Sequence, residues 1–236
     1  MPLDWVRVKA ICFDVDGTLS DTDNHMVTRL SGSLSWLHWL IQDDARKSLA
    51  RKLVMAAETP GNYLYNVADR LGIDHTALRF TDWLNRHALH RKPEKFWIMP
   101  GVRSMLTGLG SGLPLSIVSA RGRIGTEAFL KQFDLAPRFM AVATSQTCRH
   151  TKPFPDPVIW AAEKMGVAPE NCLMVGDTVV DICAGRAAGA QTVGVLCGFG
   201  TRRELERAGA DLILRTTSDL LRDYEASHQR MKDNPS

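Results

Sequence analysis

Several protein classes are excluded by what this chain lacks. No apolar run approaches the ~20 residues that cross a bilayer, so no membrane-spanning helix is expected. The opening "MPLDWVRVKAICFDVD" has no cationic stretch followed by an apolar region and a small-residue cleavage site, so no secretory signal is expected either. The five cysteines, Cys12, Cys148, Cys172, Cys183 and Cys197, are scattered and odd in number, and no C-x-x-C occurs. That argues against a disulfide framework or a zinc site and fits a reducing, cytoplasmic setting. A net charge of +3 with 23% charged residues lacks the basic excess of a nucleic-acid binder. "GLGSG" (Gly108–Gly112) and "GFG" (Gly198–Gly200) do not have the G-x-G-x-x-G spacing of a dinucleotide site. They read as a helix end and a strand-to-helix loop.

What is present is a regular alternation. The chain has 236 residues, 44% of them apolar, enough for one large or two small domains. From Leu113 onward, "LPLSIVS", "FMAVAT", "NCLMVG", "QTVGVL" and "ADLILR" read as short buried strands. Between them "GTEAFLKQF", "DPVIWAAEKMG", "VVDICAGRAAG" and "TRRELERAG" read as helices. "VKAICFD" adds a strand at the N-terminus. Continuous apolar strands alternating with helices predict an α/β fold, a doubly wound, mainly parallel sheet with helices on both faces.

Residues 21–98 break the rhythm. They hold no convincing buried strand. Leu30, Leu34, Leu37, Leu40, Leu53, Leu64, Leu71 and Leu78 fall among helix-period apolar positions, with breakers at "TPGNY" and "LGIDHT". This predicts an all-helical domain (21–98) inserted into an α/β core made of 1–20 and 99–236. Pro100-Gly101 is a turn signal before a helix starting near Val102. The polar end "HQRMKDNPS" is expected to fray.

Ligands of open α/β sheets sit at the carboxyl ends of the strands. Asp14 and Asp16 follow the first strand in "ICFDVDGTLSD". Ser119 follows "LPLSIV", Lys152 follows "FMAVATS", and Asp177 and Asp181 follow "NCLMVG". Crowded carboxylates repel one another unless a cation neutralises them. Their hard oxygens suit Mg²⁺ together with phosphate oxygens. Metal, ammonium and hydroxyl around a carboxylate nucleophile fit phosphoryl transfer.

"DVDGT", "IVSAR", Lys152 in "TKPFPDP" and "VGDTVVD" resemble, in order, the four motifs of the haloacid dehalogenase superfamily. The helical insert is similar to the cap of its phosphoglycolate phosphatase-like branch. The resemblance implies a Rossmann-like core and a Mg²⁺-dependent phosphatase acting on a small phosphorylated metabolite. Asp14 would be the nucleophile that becomes an aspartyl-phosphate. Asp16 would be the general acid and then base, and its backbone carbonyl would ligate the metal. Ser119 and Lys152 would hold phosphoryl oxygens. Asp177 would ligate the metal, and Asp181 would ligate it directly or through water. Gly17 and Thr18 would shape the turn into a flap, and Asp21 would mark where core gives way to cap. Asp16 itself points to a phosphate ester, because superfamily branches that cleave carbon–halogen or carbon–phosphorus bonds do not typically carry it.

Plainer readings compete. Gly17 is fourth counting from Asp14, not sixth, so "DVDGTLSD" is no EF-hand loop. Ser119 has no G-x-S-x-G elbow and alone would be a turn residue. Lys152 alone would be a solvated charge, and Asp177 or Thr178 could simply cap a helix. Arg79, Arg86, His87, His90, Arg91 and Lys92 near Trp83 could meet an anionic substrate, but such runs are more often solvated helix faces. Trp36 and Trp39 read as packing. The alternatives for function are a β-phosphoglucomutase-like phosphomutase, a pyrophosphatase or nucleotidase, and a non-catalytic binding protein on the same fold.

Overall fold

The structure, a computed structural model, describes residues 3–21 and 95–233. By its contacts the chain divides into two units, Met1–Asp23 with Phe96–Ser236, and Asn24–Lys95. The first is described below. The predicted helices of the insert, the basic stretch around Trp83, and Trp36 and Trp39 lie outside the described residues.

Six strands form one sheet: β1 (Ala10–Phe13), β2 (Leu115–Val118), β3 (Ala141–Ala143), β4 (Cys172–Gly176), β5 (Gln191–Val195) and β6 (Leu212–Leu214). Their order is β3-β2-β1-β4-β5-β6, and every pairing is parallel. The helices are α1 (Val102–Gly110), α2 (Arg123–Gln132), α3 (Asp156–Met165), α4 (Val179–Ala187), α5 (Arg202–Ala208) and α6 (Asp219–Asp233). The doubly wound α/β core is therefore the architecture the alternation predicted. The chain moves outward from β1 to β3 on one side and from β4 to β6 on the other. The reversal falls between β1 and β4, and such a switch point opens a crevice at the strands' carboxyl ends.

The continuous apolar strands have a simple cause. β1, β2, β4 and β5 are buried at every residue, because both faces are covered. Side chains alternate between the faces with period two. Ile11, Phe13, Ile117, Leu173 and Val175 join one core with Met105, Leu106 and Leu109 of α1, Phe129 of α2 and Leu220 of α6. Ala10, Cys12, Val118, Cys172 and Met174 join the other with Val158, Ala161 and Ala162 of α3 and Ala184 of α4. Gly185 lets α4 approach the sheet closely, since a Cβ there would come to 2.6 Å from Thr192 Cγ2 and 2.8 Å from Met174 Cβ.

The polar end is helical further than expected: α6 runs to Asp233. The first half of this helix is held by the other terminus. Trp5 Nε1 donates to Asp223 at 2.8 Å, and the Trp5 and Tyr224 rings meet edge-on with centroids 5.1 Å apart.

The two crossings between core and insert pair with each other. Met99 N donates to Leu19 O (2.9 Å) and Asp21 N to Trp97 O (2.8 Å), and Ser20 and Ile98 form an antiparallel bridge.

Candidate active site

The β1–β4 register builds the centre. Phe13 pairs with Val175, and the next amide, Asp14 N, still donates to Val175 O at 2.9 Å. Asp14 thus leaves the sheet at its last hydrogen bond, beside Gly176 and Asp177. Gly17 turns the chain with φ 73°, a conformation open to glycine at little cost. A Cβ at Gly17 would also overlap the Asp177 carboxylate. The turn closes with Gly17 N donating to Ser20 O at 3.0 Å.

Lys152 reaches this centre from the loop after β3. Its Nζ donates to Asp14 Oδ1 at 2.6 Å and to Asp181 Oδ1 at 2.5 Å, with only 3% of the side chain exposed. Burial pushes the Asp14 carboxyl up to about 7. The Lys152 ammonium opposes that rise, and Asp181 and Asp16 add to it. Burial alone would lower the Lys152 ammonium, yet the facing carboxylates of Asp14 and Asp181 hold it above its ordinary range. It carries its proton at any neutral pH.

Asp181 sits in the first turn of α4 and has two tasks. Its Oδ2 accepts from Thr178 N (3.0 Å) and Thr178 Oγ1 (2.6 Å), closing a capping box. The helix-cap reading of "GDTVVD" is therefore right for Thr178, and it fixes the carboxylate that faces Lys152. Asp177 is fully buried. Its Oδ1 accepts from Thr18 Oγ1 (3.3 Å), its Oδ2 from Phe199 N (2.8 Å), and its carbonyl from Gly200 N (3.1 Å). Asp14, Asp177 and Asp181 can each direct one oxygen so that all three lie within 4.8 Å of one another.

Ser119 lies at the tip of β2, next to β1. It is buried, its N donates to Ala143 O at 3.0 Å, and its Oγ accepts from Arg121 N at 3.1 Å. Asp16 is set apart from the buried group. Its carboxylate meets the Arg121 guanidinium in a two-point pair, Nε to Oδ2 at 2.9 Å and Nη2 to Oδ1. So the structure gathers Asp14, Lys152, Asp177 and Asp181 directly, brings Ser119 to the adjoining strand tip, and turns Asp16 outward.

Sequence reasoning missed three partners. Arg121 stands inside "IVSAR", yet a single arginine carries no sign of its partner. Thr18 was given only a turn role, whereas its hydroxyl reaches Asp177. The "GFG" loop is more than a connection. A Cβ at Gly198 would overlap the Asp177 carboxylate and one at Gly200 its carbonyl, so only glycines let Phe199 N reach this aspartate.

The chain is similar to the phosphoglycolate phosphatase of Shigella boydii, 25% identical over 243 residues covering 96% of each chain. It is 26% identical to the pyrophosphatase PpaX of Bacillus pumilus over 218 residues, covering 91% of this chain and 95% of that one. A solved hydrolase from Pseudomonas syringae superposes with a TM-score of 0.66 at 25% identity, covering 92% of this chain and 98% of that one. The model of haloacid dehalogenase-like hydrolases matches residues 11–195, from β1 to the end of β5. With the nested order of strand tips that this span contains, the chain belongs to the haloacid dehalogenase-like hydrolase family.

Proposed function

We propose that the chain is a Mg²⁺-dependent phosphatase that hydrolyses a small phosphate monoester through an aspartyl-phosphate on Asp14. The observation that carries this reading is the buried ammonium of Lys152 held between Asp14 and Asp181. A buried cation shared by two carboxylates from different parts of the chain is costly for stability alone. It is well placed to meet an anionic phosphoryl group and to neutralise a carboxylate that must approach it.

The donor set fits the metal. Three buried carboxylates supply hard oxygens within reach of one point, the ligand type that Mg²⁺ prefers. Asp14, Asp177 and Asp181 would hold it, with the backbone carbonyl of Asp16. When bound, Mg²⁺ supplies positive charge to the phosphoryl oxygens. Asp14 attacks phosphorus, and Asp16 gives its proton to the departing ester oxygen. Asp16 then takes a proton from the water that cleaves the acyl phosphate, restoring Asp14. Ser119 and Lys152 hold the phosphoryl oxygens in both halves.

The division into a core of 1–20 and 99–236 and a helical cap of 21–98 is part of this proposal. It is supported by the paired crossings at Leu19–Asp21 and Trp97–Met99. The scattered cysteines support a cytoplasmic setting as part of the same proposal. Among the described residues no helix is long and apolar enough to cross a membrane.

Similarity to a phosphoglycolate phosphatase and to a pyrophosphatase makes these the two substrates to test first. The experiment is phosphate release from phosphoglycolate, pyrophosphate and a panel of monoesters, with and without Mg²⁺, for the parent and Asp14→Asn. The expected result is metal-dependent release from a monoester that the substitution abolishes. Faster release from pyrophosphate would favour the second reading. Full activity in Asp14→Asn, or none from the parent on any ester, would overturn the proposal.

A further inference from the structure

We infer that Arg121 is a positioning residue for Asp16: it orients the carboxylate that exchanges protons with the ester oxygen and the water. This rests on the phosphatase reading above and extends it to a residue given no role there. Arg121 lies in a slot built to hold one orientation. Its backbone is pinned at both ends, N donating to Ser119 Oγ (3.1 Å) and O accepting from Ser145 N (3.1 Å). Its guanidinium sits 5.0 Å from the Phe96 ring centroid. Phe96 is itself fixed to α2: its N donates to Gln132 Oε1 (3.1 Å), its O accepts from Gln132 Nε2 (2.8 Å), and its ring meets Phe129 edge-on. On α2, Gly125 leaves the space that the arginine stem fills. A Cβ there would come to 3.0 Å from Arg121 Cδ and 3.2 Å from Cγ.

The chemistry needs such a device. A carboxylate side chain has free rotamers, and a general acid works only within hydrogen-bond reach of the oxygen it serves. Asp16 is the part-exposed carboxylate of this centre, its side chain 29% accessible, and burial does not immobilise it. A planar guanidinium fork sets both distance and plane, which an ammonium point charge does not, and one of its two bonds must open for Asp16 to carry the proton it gives. Arg121 also ties Asp16 to Ser119 through its own amide, so the proton-handling and phosphoryl-holding groups keep a common frame.

Positioning of an acid predicts dependence on the leaving group. An alkyl oxygen leaves poorly unless protonated, whereas p-nitrophenolate leaves without help. The test is kcat/KM for a series running from p-nitrophenyl phosphate to alkyl phosphates. In Arg121→Met the loss should grow along the series to about 10²-fold for an alkyl phosphate, with KM little changed. Gly125→Ala keeps the arginine, favours the helix, and should show the same gradient more weakly. On an Asp16→Asn background, Arg121→Met should cost little more, because the two act as one unit. A uniform loss across all esters, a rise confined to KM, or additivity with Asp16→Asn would overturn the inference. If Asp16→Asn shows the gradient and Arg121→Met does not, this inference alone fails. If the parent hydrolyses no ester, the phosphatase reading fails with it.

Discussion

Asp14 and Asp16 stand two residues apart at one strand tip and meet opposite surroundings. Asp14 is buried against a lysine ammonium and beside two more carboxylates. Asp16 is part-exposed and forked by an arginine. The residue type is the same, but the environments differ in the way that the proposed tasks require. Burial, charge neutralisation and a fixed position suit a group that attacks and is regenerated. A solvent-facing, orientable carboxylate suits one that trades protons with an alcohol and with water. The cations differ in keeping: Lys152 is a point charge shared by two carboxylates, and Arg121 is a planar fork matched to one.

The largest effect is expected inside. Asp14→Asn should lower turnover by on the order of 10⁴-fold or more, as loss of a nucleophile does, measured as phosphate release at saturating ester and Mg²⁺. If the two aspartates were interchangeable, Asp16→Asn would match it for every ester. Its loss should instead shrink as the leaving group improves. Lys152→Met comes next. Removing the cation from a buried pair costs about 3–5 kcal/mol, so the variant should melt well below the parent at pH 7. An unchanged melting temperature would mean that Lys152 is not holding Asp14 and Asp181 together. Gly198→Ala should crowd Asp177 and weaken Mg²⁺ by about 10- to 100-fold, read by Mg²⁺ titration of activity. The Asp16–Arg121 pair takes no part in that contact, so the leaving-group dependence should not change.

The smallest effect is a pH dependence confined to the inner group. Burial raises the Asp14 carboxyl to about 7 in the fold from an ordinary value of 3.8. The folded chain therefore holds an extra proton between those values, and without metal its stability falls as pH rises from about 4 to about 7. Lys152, raised above 10.5, gives a contribution that is complete below that value and constant across this window. Thermal melts of the metal-free parent should decline over pH 4–7 more steeply than those of Asp14→Asn. Added Mg²⁺, which competes with the proton for Asp14, should raise the melting temperature more at pH 8 than at pH 5. Parallel profiles for parent and variant would remove the contrast between the two aspartates.

The parts visible in the sequence are those where residue type and order carry the information. Strand tips were legible because parallel strands are continuously apolar and the polar residue after each stands out. The sheet followed because five runs alternated with helices of period 3.6. The Asp16–Arg121 pair was hidden for a physical reason: its partners are 105 residues apart, and nothing local to either announces the other. Phe199 donates to Asp177 through its backbone, where side-chain identity is mute; only the flanking glycines hint at the close approach. The hold on the first half of α6 was hidden for the same reason: Trp5 is 218 residues from its partner Asp223.

The ladder between Leu19–Asp21 and Trp97–Met99 has a consequence for how this chain can vary. Because the outgoing and returning segments bond to each other, the sheet experiences the insertion as a closed stem. The distance the intervening chain must span is fixed at one bridge and does not depend on its length. Closing a longer loop on such a stem costs only about 0.6 kcal/mol per doubling. Selection can therefore lengthen, shorten or exchange what lies beyond the stem while Asp14 and Asp16 keep their register with β4. The inserted stretch is free to diverge without moving the strand tip that carries Asp14 and Asp16.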